Sequence, residues 1–196
     1  QVSYHPALYT KNWKNKNVNK LLNEGPKLKL TIDILKNIKD KEEKAIIFTT
    51  YRIMQYILQR VIRARFQLDD IPIINGGTNR RLQTVDRFNN KKGFSCMILS
   101  PKAAGTGLNI TGANHVIHYT RWWNPAVEQQ ATDRVYRIGQ DKNVFVYYPI
   151  MTADVETVEE KLARLLQEKK KLAKNIIVPN KQLEKEIKED IQSTFS

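Results

Sequence analysis

Two arginines separated by two residues are the side chains in this sequence best suited to chemistry on a phosphate. Arg134 and Arg137 lie in residues 130–140, where the pattern is helical. A spacing of three places both side chains on one face of a helix. Two guanidinium groups held together repel each other unless an anion lies between them, and their forked N–H donors fit a phosphate. The alternative is two arginines on a solvated surface.

Gly105 and Gly107 mark a second candidate segment, residues 100–109. A glycine has no Cβ, so its backbone can approach a ligand closely. The spacing by itself is therefore only compatible with a ligand-contacting loop. A turn that needs glycine only for its own geometry is the alternative.

A third candidate segment contains Arg121, Trp122 and Trp123. Two adjacent tryptophans in a short loop are hard to bury together, and an exposed indole beside an arginine is typical of a nucleic-acid or protein contact. The alternative is one tryptophan in the core and one partly covered. Asn124 and Pro125 follow, and they suit the cap and first turn of a helix.

The position of these three segments depends on the strands and helices around them. Continuous apolar runs, typical of strands buried on both faces, predict strands at residues 45–48, 71–74, 96–99, 115–119 and 144–148. Pro72 indicates that the second strand is at an edge or begins there. Apolar residues at helical spacing predict helices at 28–38, 53–61, 82–88 and 124–139, with a loop at 100–111. Such alternation predicts a parallel α/β sheet with helices on both faces, whose ligands bind beyond the carboxyl ends of the strands.

Composition narrows the class of protein. The 196 residues include 33 Lys+Arg and 20 Asp+Glu, which gives a net charge of +13, and 41% are hydrophobic. The hydrophobic share excludes wholesale disorder, and the charge favours a polyanionic partner such as nucleic acid. A single cysteine, Cys96, excludes an internal disulfide and a cysteine-based zinc site, and it favours a reducing compartment.

Two kinds of partner are not expected. No run approaches the ~18 apolar residues of a membrane span, so the sequence predicts no membrane partner. His115 and His118 lie three apart in a predicted strand and should point to opposite faces, so no metal site is expected there.

The order of these segments resembles motifs V and VI of the Snf2-like branch of superfamily 2 helicases. Residues 100–140 are similar to that branch almost end to end, and their QAxDRxxRIGQ and Trp-Asn-Pro elements are specific to it. Shorter similarities to the same branch occur at residues 5–8, 25–28, 44–51, 75–89 and 157–161.

The resemblance implies a RecA-like three-layer α/β/α sandwich with a mostly parallel sheet, followed by a C-terminal bracing helix. Residues 1–26 would be a linker from an upstream lobe and 27–152 the helicase C-terminal lobe. Residues 153–196 would form the helical brace and a charged tail. A single long helix from about Val155, ended by Pro179, agrees with that brace.

The same resemblance implies a function and its residues. The chain would be the C-terminal motor lobe of an ATP-dependent double-stranded DNA translocase or remodeller. Its partners would be duplex DNA and the N-terminal RecA-like lobe of the same protein, which would hold Mg²⁺ for the bound ATP. Arg134 and Arg137 would be the catalytic arginine fingers. The nucleotide would be contacted by Gly105, Gly107, Asn109 and Gln130, and the DNA by Thr78, Lys102, Arg121 and Trp123.

The sequence departs from the family in two places. Residues 103–107 read Ala-Ala-Gly-Thr-Gly where the family has Ala-Gly-Gly-x-Gly. Thr120 and Arg121 stand where an acidic residue often precedes the Trp-Asn-Pro element. The second departure raises the question of what supports that loop, and it leaves the arginine fingers untouched.

Two motor elements are absent from these 196 residues. No glycine is followed by lysine, so there is no GxxxxGK[ST] phosphate-binding loop. No apolar strand ends in Asp-Glu. The chain by itself is therefore expected not to hydrolyse ATP. Because it begins with Gln1 rather than Met, we expect it to be a piece of a longer protein.

Two other functions are compatible with the sequence. One is the lobe of a strand-separating DNA or RNA helicase from a neighbouring branch, and the other is a non-catalytic DNA-binding scaffold with vestigial motor motifs. Without a large insertion between motifs, the chain resembles prokaryotic or archaeal members more than eukaryotic ones. The expected location is cytoplasmic and nucleoid-associated in a prokaryote, or nuclear in a eukaryote.

Overall fold

The computed structural model describes most of the chain, namely residues 4–10, 12–104, 107–122, 124–137, 139–151 and 157–177. Within these residues five strands form one sheet. The strands are β1 Lys44–Phe48, β2 Ile73–Ile74, β3 Ser95–Leu99, β4 His115–His118 and β5 Phe145–Tyr147. No helix in this part of the chain is long and apolar enough to cross a membrane.

The sheet is parallel throughout and has the order β2-β3-β1-β4-β5. Ile46 of the central strand pairs in register with Met97 on one side and Val116 on the other. All residues of β1, β3 and β4 are buried, as parallel strands covered on both faces require. The predicted strand at 71–74 is an edge strand that begins after Pro72.

Helices cover both faces of this sheet. Their bounds are α1 Ala7–Thr10, α2 Val18–Glu24, α3 Pro26–Asp40, α4 Arg52–Phe66, α5 Arg81–Asn90, α6 Pro101–Ala104, α7 Pro125–Thr132 and α8 Val158–Ile177, with a 3₁₀ turn at Trp13–Asn15.

Each face of the sheet has its own apolar core. Residues of α2, α3 and α4 pack with Ala45 and Ile47 of β1, whereas residues of α5, α6 and α7 pack with Ile46 and Phe48. Successive residues of β1 thus face opposite sides, as the strand period of two dictates. The predicted three-layer α/β/α architecture is confirmed.

The N-terminal segment, which the resemblance predicts to be a linker from an upstream lobe at 1–26, is helical in much of its described part. Its described residues form α1, the 3₁₀ turn and α2, and Ala7, Leu21 and Leu22 are buried in the core. Asn17 caps α2 by accepting a hydrogen bond from the amide of Lys20 at 2.8 Å. The helices are too short to give a clear amphipathic pattern in the sequence, and tertiary burial of a few apolar residues fixes them.

Three further elements differ from the sequence-based expectation. The predicted loop at 100–111 contains the short helix α6. The helix predicted to reach Gly139 ends at Thr132. The last strand spans three residues instead of five, and Phe145 and Val146 are 45% and 37% exposed because β5 lies at the sheet edge.

The long C-terminal helix α8 begins at Val158, close to the predicted start, and packs on the lobe through Leu162 and Leu166. A buried ion pair joins it to α3, because Lys27 Nζ lies 2.7 Å from Glu159 Oε1. The ammonium also lies over the rings of Tyr4 and Tyr119. The second helix predicted at 181–190 lies outside the described residues.

Candidate functional site

Three of the predicted site residues follow parallel strands and so lie along one edge of the sheet. Thr78 follows β2, Lys102 follows β3 and Arg121 follows β4. With neighbouring strands about 4.8 Å apart, the order β2-β3-β1-β4 spreads these segments over roughly 14 Å. This is the carboxyl edge, where open α/β sheets bind ligands.

The loop that contains Thr78 is held in shape by its own hydrogen bonds. The Thr78 hydroxyl donates to Ile73 O and accepts from the amide of Asn75. Arg81 donates to the carbonyl oxygens of Thr78 and Gly76 at 3.1 and 3.0 Å. The hydroxyl of Thr78 thus shapes the loop, and the backbone of Gly76 and Gly77 is what the loop exposes.

The two segments predicted to face a nucleotide are joined to each other. The amide of Ile110 donates to the carbonyl oxygen of Arg134 at 3.0 Å. Gln140 Nε2 donates to Thr111 O at 3.1 Å and to Ala113 O at 2.6 Å. Residues 110–113 are therefore joined to Arg134 and Gln140, although α7 and β4 separate them in the sequence.

Arg134 and Arg137 lie just beyond α7, not on the single helical face that the sequence predicts. After Thr132 the chain closes tighter turns, with Arg134 N bonded to Ala131 O and Val135 N to Thr132 O. The Arg134 carbonyl, which a continuing helix would pair with the amide four residues later, accepts from Ile110 instead.

The two guanidinium groups are available to an anion. Arg137 is exposed, Arg134 is half-buried, and neither forms an ion pair with the described acidic residues. The Nε atom of Arg134 is buried and has no hydrogen-bond partner within the described part of the chain. A buried N–H without an acceptor is costly, so an acceptor from a ligand fits at this position.

The structure buries Arg121, which the resemblance implies would face DNA. Its side chain is 9% exposed. Its Nε and Nη2 atoms donate to the two carboxylate oxygens of Glu128 at 2.9 and 3.1 Å, and its guanidinium lies 4.2 Å from the ring centre of Tyr148. The fork is therefore occupied within the protein. The Arg121–Glu128 pair also supports the loop that lacks the acidic residue often found there in the family.

The remaining predicted residues divide into exposed positions and positions outside the description. Lys102, Gly107, Asn109 and Gln130 are exposed, and Gly107 has a φ of 79°, which favours glycine. The predicted contacts Gly105 and Trp123 lie outside the described residues. No group of three or more His, Cys, Asp or Glu that could hold a metal occurs in the described ranges.

Two residues that support the site were missed by sequence reasoning. Glu128 is the only charged residue of α7, and that isolation was a usable signal for a buried carboxylate. Asn89 lies at the end of α5, where its side chain donates to Asn109 O and accepts from Gly112 N, both at 3.0 Å. Nothing in the local sequence around Asn89 indicates this contact.

The surroundings of His115, His118 and Cys96 indicate that these residues have structural roles. His118 shares a hydrogen bond with Thr132, and His115 bonds Glu43 at 2.6 Å on the other face, as their spacing predicts. Burial lowers the pKa of His115 although Glu43 opposes this. Burial raises the pKa of the Cys96 thiol well above its usual value, which keeps it protonated and unreactive.

A parallel sheet covered on both faces, with loops at its carboxyl edge and two available arginines after the last core helix, defines a RecA-like α/β lobe. The family described as helicase conserved C-terminal domain matches residues 26–139. The chain therefore belongs to that family, and it is the C-terminal RecA-like lobe of a superfamily 2 helicase.

Known proteins similar to this chain agree with that assignment. YwqA of Bacillus subtilis is 41% identical over 179 residues, which are 90% of this chain and 18% of that protein. The Sulfolobus solfataricus SWI2/SNF2 ATPase core in complex with dsDNA matches with a TM-score of 0.70 and 36% identity, over 90% of this chain and 35% of that one. The C-terminal domain of the same ATPase matches with a TM-score of 0.66 and 32% identity, over 91% of this chain and 68% of that one. The chain spans less than a fifth of YwqA.

Proposed function

We propose that this chain is the C-terminal motor lobe of an ATP-dependent double-stranded DNA translocase or remodeller of the Snf2 type. The observation that carries the proposal is that residues 110–113 are joined to Arg134 and Gln140, while Arg134 and Arg137 have no acidic partners among the described residues. Two cations in a fixed turn beside a glycine-containing segment suit a polyphosphate.

In this proposal Arg134 and Arg137 act as arginine fingers on a nucleotide bound between two lobes. Closure of the lobes brings their guanidinium groups to the γ-phosphate, where they stabilise the negative charge that spreads over the transferring group. Release of the products lets the lobes separate again. Gly107, Asn109 and Gln130 are exposed and are assigned to the nucleotide side of the cleft.

ATP is the substrate of this proposed site, and the donor set fits its phosphates. The unpartnered Nε of Arg134 and the exposed fork of Arg137 both require an acceptor. Mg²⁺ neutralises phosphate charge when it is bound, and we assign its ligands to the N-terminal lobe of the same protein.

Duplex DNA is the proposed track for the motor. Exposed Lys102 and the Thr78 loop lie at the carboxyl edge of the sheet, and the net charge of +13 favours a polyanion. The similarity to an ATPase core whose solved structure includes dsDNA supports the same choice. Location in the cytoplasm with the nucleoid, or in a nucleus, follows from this partner.

The test is ATP hydrolysis by the longer protein that joins this lobe to its N-terminal lobe. Duplex DNA, single-stranded DNA, RNA or no nucleic acid is added, and an Arg137→Ala variant is compared with an Arg63→Ala variant, which removes an exposed arginine of α4. We expect stimulation by duplex DNA and a loss of about 10³-fold or more in kcat for Arg137→Ala only.

Other outcomes of this assay identify other functions. Stimulation by single strands or RNA in preference to duplex DNA indicates a strand-separating helicase. DNA binding without hydrolysis under any condition indicates a scaffold with vestigial motifs. Equal activity of the unmodified protein and the Arg137→Ala variant excludes the arginine-finger role.

The 196-residue chain by itself is expected not to turn over ATP, because it contains no Gly-Lys pair and thus no phosphate-binding loop of the GxxxxGK[ST] type. Phosphate release from the purified chain with saturating duplex DNA measures this. Turnover that disappears in the Arg137→Ala variant contradicts the expectation.

A further inference from the structure

We propose that Glu128 is a positioning residue for duplex DNA binding. Through Arg121 and the Trp122 amide, it fixes the loop between β4 and α7. The inference rests on the proposed function, because it assigns this loop of the carboxyl edge to the DNA side of the motor. It replaces the sequence-based prediction in which Arg121 itself contacts DNA.

The Glu128 carboxylate receives three hydrogen bonds from the loop. Arg121 supplies two, at 2.9 and 3.1 Å, and the Trp122 amide donates to Oε1 at 2.8 Å. Glu128 is 2% exposed and Arg121 is 9% exposed. A bidentate pair with an added amide donor fixes both the distance and the plane of the two groups. Residues 121 and 122 are thereby tied to the first turns of α7.

Both ends of the same loop are also held. At the strand end, the hydroxyls of Thr120 and Thr49 are 2.9 Å apart and join the loop to the residue that follows β1. At the helix end, Asn124 Oδ1 accepts from the Ala126 amide at 3.0 Å. Between these two ends Glu128 fixes Arg121 and the backbone of Trp122, so these residues meet a partner already ordered and lose little entropy on binding.

Electrostatics alone predicts the opposite effect of this carboxylate. DNA binding is weakened by negative charge on the protein face and strengthened when such charge is removed. If Glu128 acted only through its charge, Glu128→Gln would tighten DNA binding. If Glu128 positions the loop, the same substitution weakens binding even though it makes the chain more basic. The sign of the change therefore separates the two roles.

The chain supplies a matched control in its other buried ion pair. Glu159 pairs with Lys27 at 2.7 Å, is as well buried as Glu128, and forms its hydrogen bonds with Lys27 and the Met151 amide instead of with Arg121 and Trp122. Glu159→Gln removes the same charge and breaks an equivalent pair. Arg121 lies close enough to contribute to the lowered pKa of Lys27, after burial as the main cause. Glu128→Gln and Glu159→Gln therefore change the charge in the same region of the molecule.

The experiment measures binding of the chain to a short fluorescently labelled DNA duplex across a salt series, with thermal unfolding of each variant recorded alongside. We expect Glu128→Gln to raise the Kd about 10-fold at fixed salt, the size expected when one or two side chains must be ordered on binding. The slope of log Kd against log salt should stay unchanged because no phosphate contact is removed. Glu159→Gln should bind as tightly as the unmodified chain or more tightly.

Two further variants complete the test. Arg121→Lys keeps the net charge but cannot reproduce the fork, so it should weaken binding as Glu128→Gln does, and it serves if Glu128→Gln fails to fold. Lys102→Gln removes a proposed direct contact and should lower the salt slope by about 0.9. If Glu128→Gln and Arg121→Lys bind DNA as tightly as Glu159→Gln, the positioning role is wrong. Absence of duplex binding by the unmodified chain overturns the proposed function itself.

Discussion

At the scale of single residues, the same side-chain type has different roles that depend on its neighbours. Arg137 is exposed and lacks an acidic partner among the described residues, whereas Arg121 is buried against Glu128 and Tyr148. Both follow core elements near predicted functional segments, so spacing alone does not distinguish them. A carboxylate seven residues later in the chain decides that Arg121 is structural.

Gly112 is a residue at which close packing excludes any side chain. A Cβ there would lie 2.6 Å from Asn89 Cα and 3.0 Å from Asn89 O, both backbone atoms that cannot rotate away. We expect Gly112→Ala to destabilise the fold by about 1–3 kcal/mol, as measured by urea unfolding. Gly76→Ala is the control, because a Cβ at Gly76 meets nothing within 4 Å, and its effect should be within about 0.5 kcal/mol. Equal effects of the two substitutions would contradict this packing argument.

His5 makes the stability of the N-terminal segment dependent on pH. Its Nδ1 accepts from the Ala7 amide and its Nε2 lies 2.8 Å from Leu21 O, so the neutral ring with its proton on Nε2 fits the site. Burial lowers the pKa of His5, and this outweighs the opposing effects of the Leu21 carbonyl and Glu24. Near pH 6.5 the unfolded chain therefore binds more protons at His5 than the folded chain does.

The sign of the pH effect follows from this difference. His5 contributes its full stabilisation above pH 6.5, and the contribution is lost as the pH falls below that value towards the lowered folded pKa. We expect the free energy of unfolding to decrease between pH 7 and pH 5, and His5→Gln to show a shallower decrease in chemical denaturation. His115 acts in the same direction, so the slope should be reduced and not abolished. An unchanged slope in His5→Gln would remove His5 as a cause.

At the scale of elements, the end of α7 decides where the two arginines lie. The helical pattern of the sequence continues to Gly139, but the helix ends at Thr132, and the Arg134 carbonyl beyond it accepts from Ile110 instead of continuing the helical ladder. Helix length in a folded domain is set by such tertiary hydrogen bonds as much as by local propensity. The same hydrogen bond joins the glycine-containing segment to the arginine turn.

The side chain of Gln140 completes the contact between the glycine-containing segment and the arginine turn. Its amide nitrogen donates to two carbonyl oxygens, of Thr111 and Ala113, and its oxygen accepts from the Lys142 amide. Gln140→Ala leaves these groups without partners and should cost about 1–2 kcal/mol in unfolding free energy. Amide hydrogen exchange should rise at residues 139–142.

Gln129→Ala is the control for Gln140→Ala, because it removes only an exposed hydrogen bond to Asp133. It should change stability by no more than about 0.5 kcal/mol. If Gln129→Ala proved as costly as Gln140→Ala, the joint between the two segments would not be the source of the loss.

At the scale of the whole molecule, α8 is tied to the lobe by a charge pair between residues 132 positions apart. Lys27 and Glu159 are both almost fully buried. Burial lowers the pKa of Lys27, and Glu159 partly restores it. The Glu159 carboxylate also accepts from the Met151 amide at 3.1 Å. The first turn of α8, the first turn of α3 and Met151, four residues after β5, therefore meet at one ion pair.

Removing one member of this pair leaves a buried charge without a partner. We expect Lys27→Met to lower the unfolding free energy by about 3–5 kcal/mol, measured by guanidinium chloride denaturation. The double variant Lys27→Met with Glu159→Leu removes both charges and should recover most of that loss, since apolar replacements of buried pairs are often close to neutral. A double variant no more stable than Lys27→Met would show that the pair contributes more than charge compensation.

The sequence alone was enough to predict the parallel sheet, its helices on both faces, the edge position of the second strand and the family. These depend on patterns repeated along whole segments: continuous apolar runs, helical spacing and a motif order that covers residues 100–140. The three-dimensional packing was needed to show which arginines are available, where α7 ends and that Ala7, Leu21 and Leu22 belong to the core. Each of these depends on a partner distant in the chain, such as Ile110 for Arg134 or Leu21 for His5. A local pattern holds no information about which remote group will occupy a given donor or acceptor.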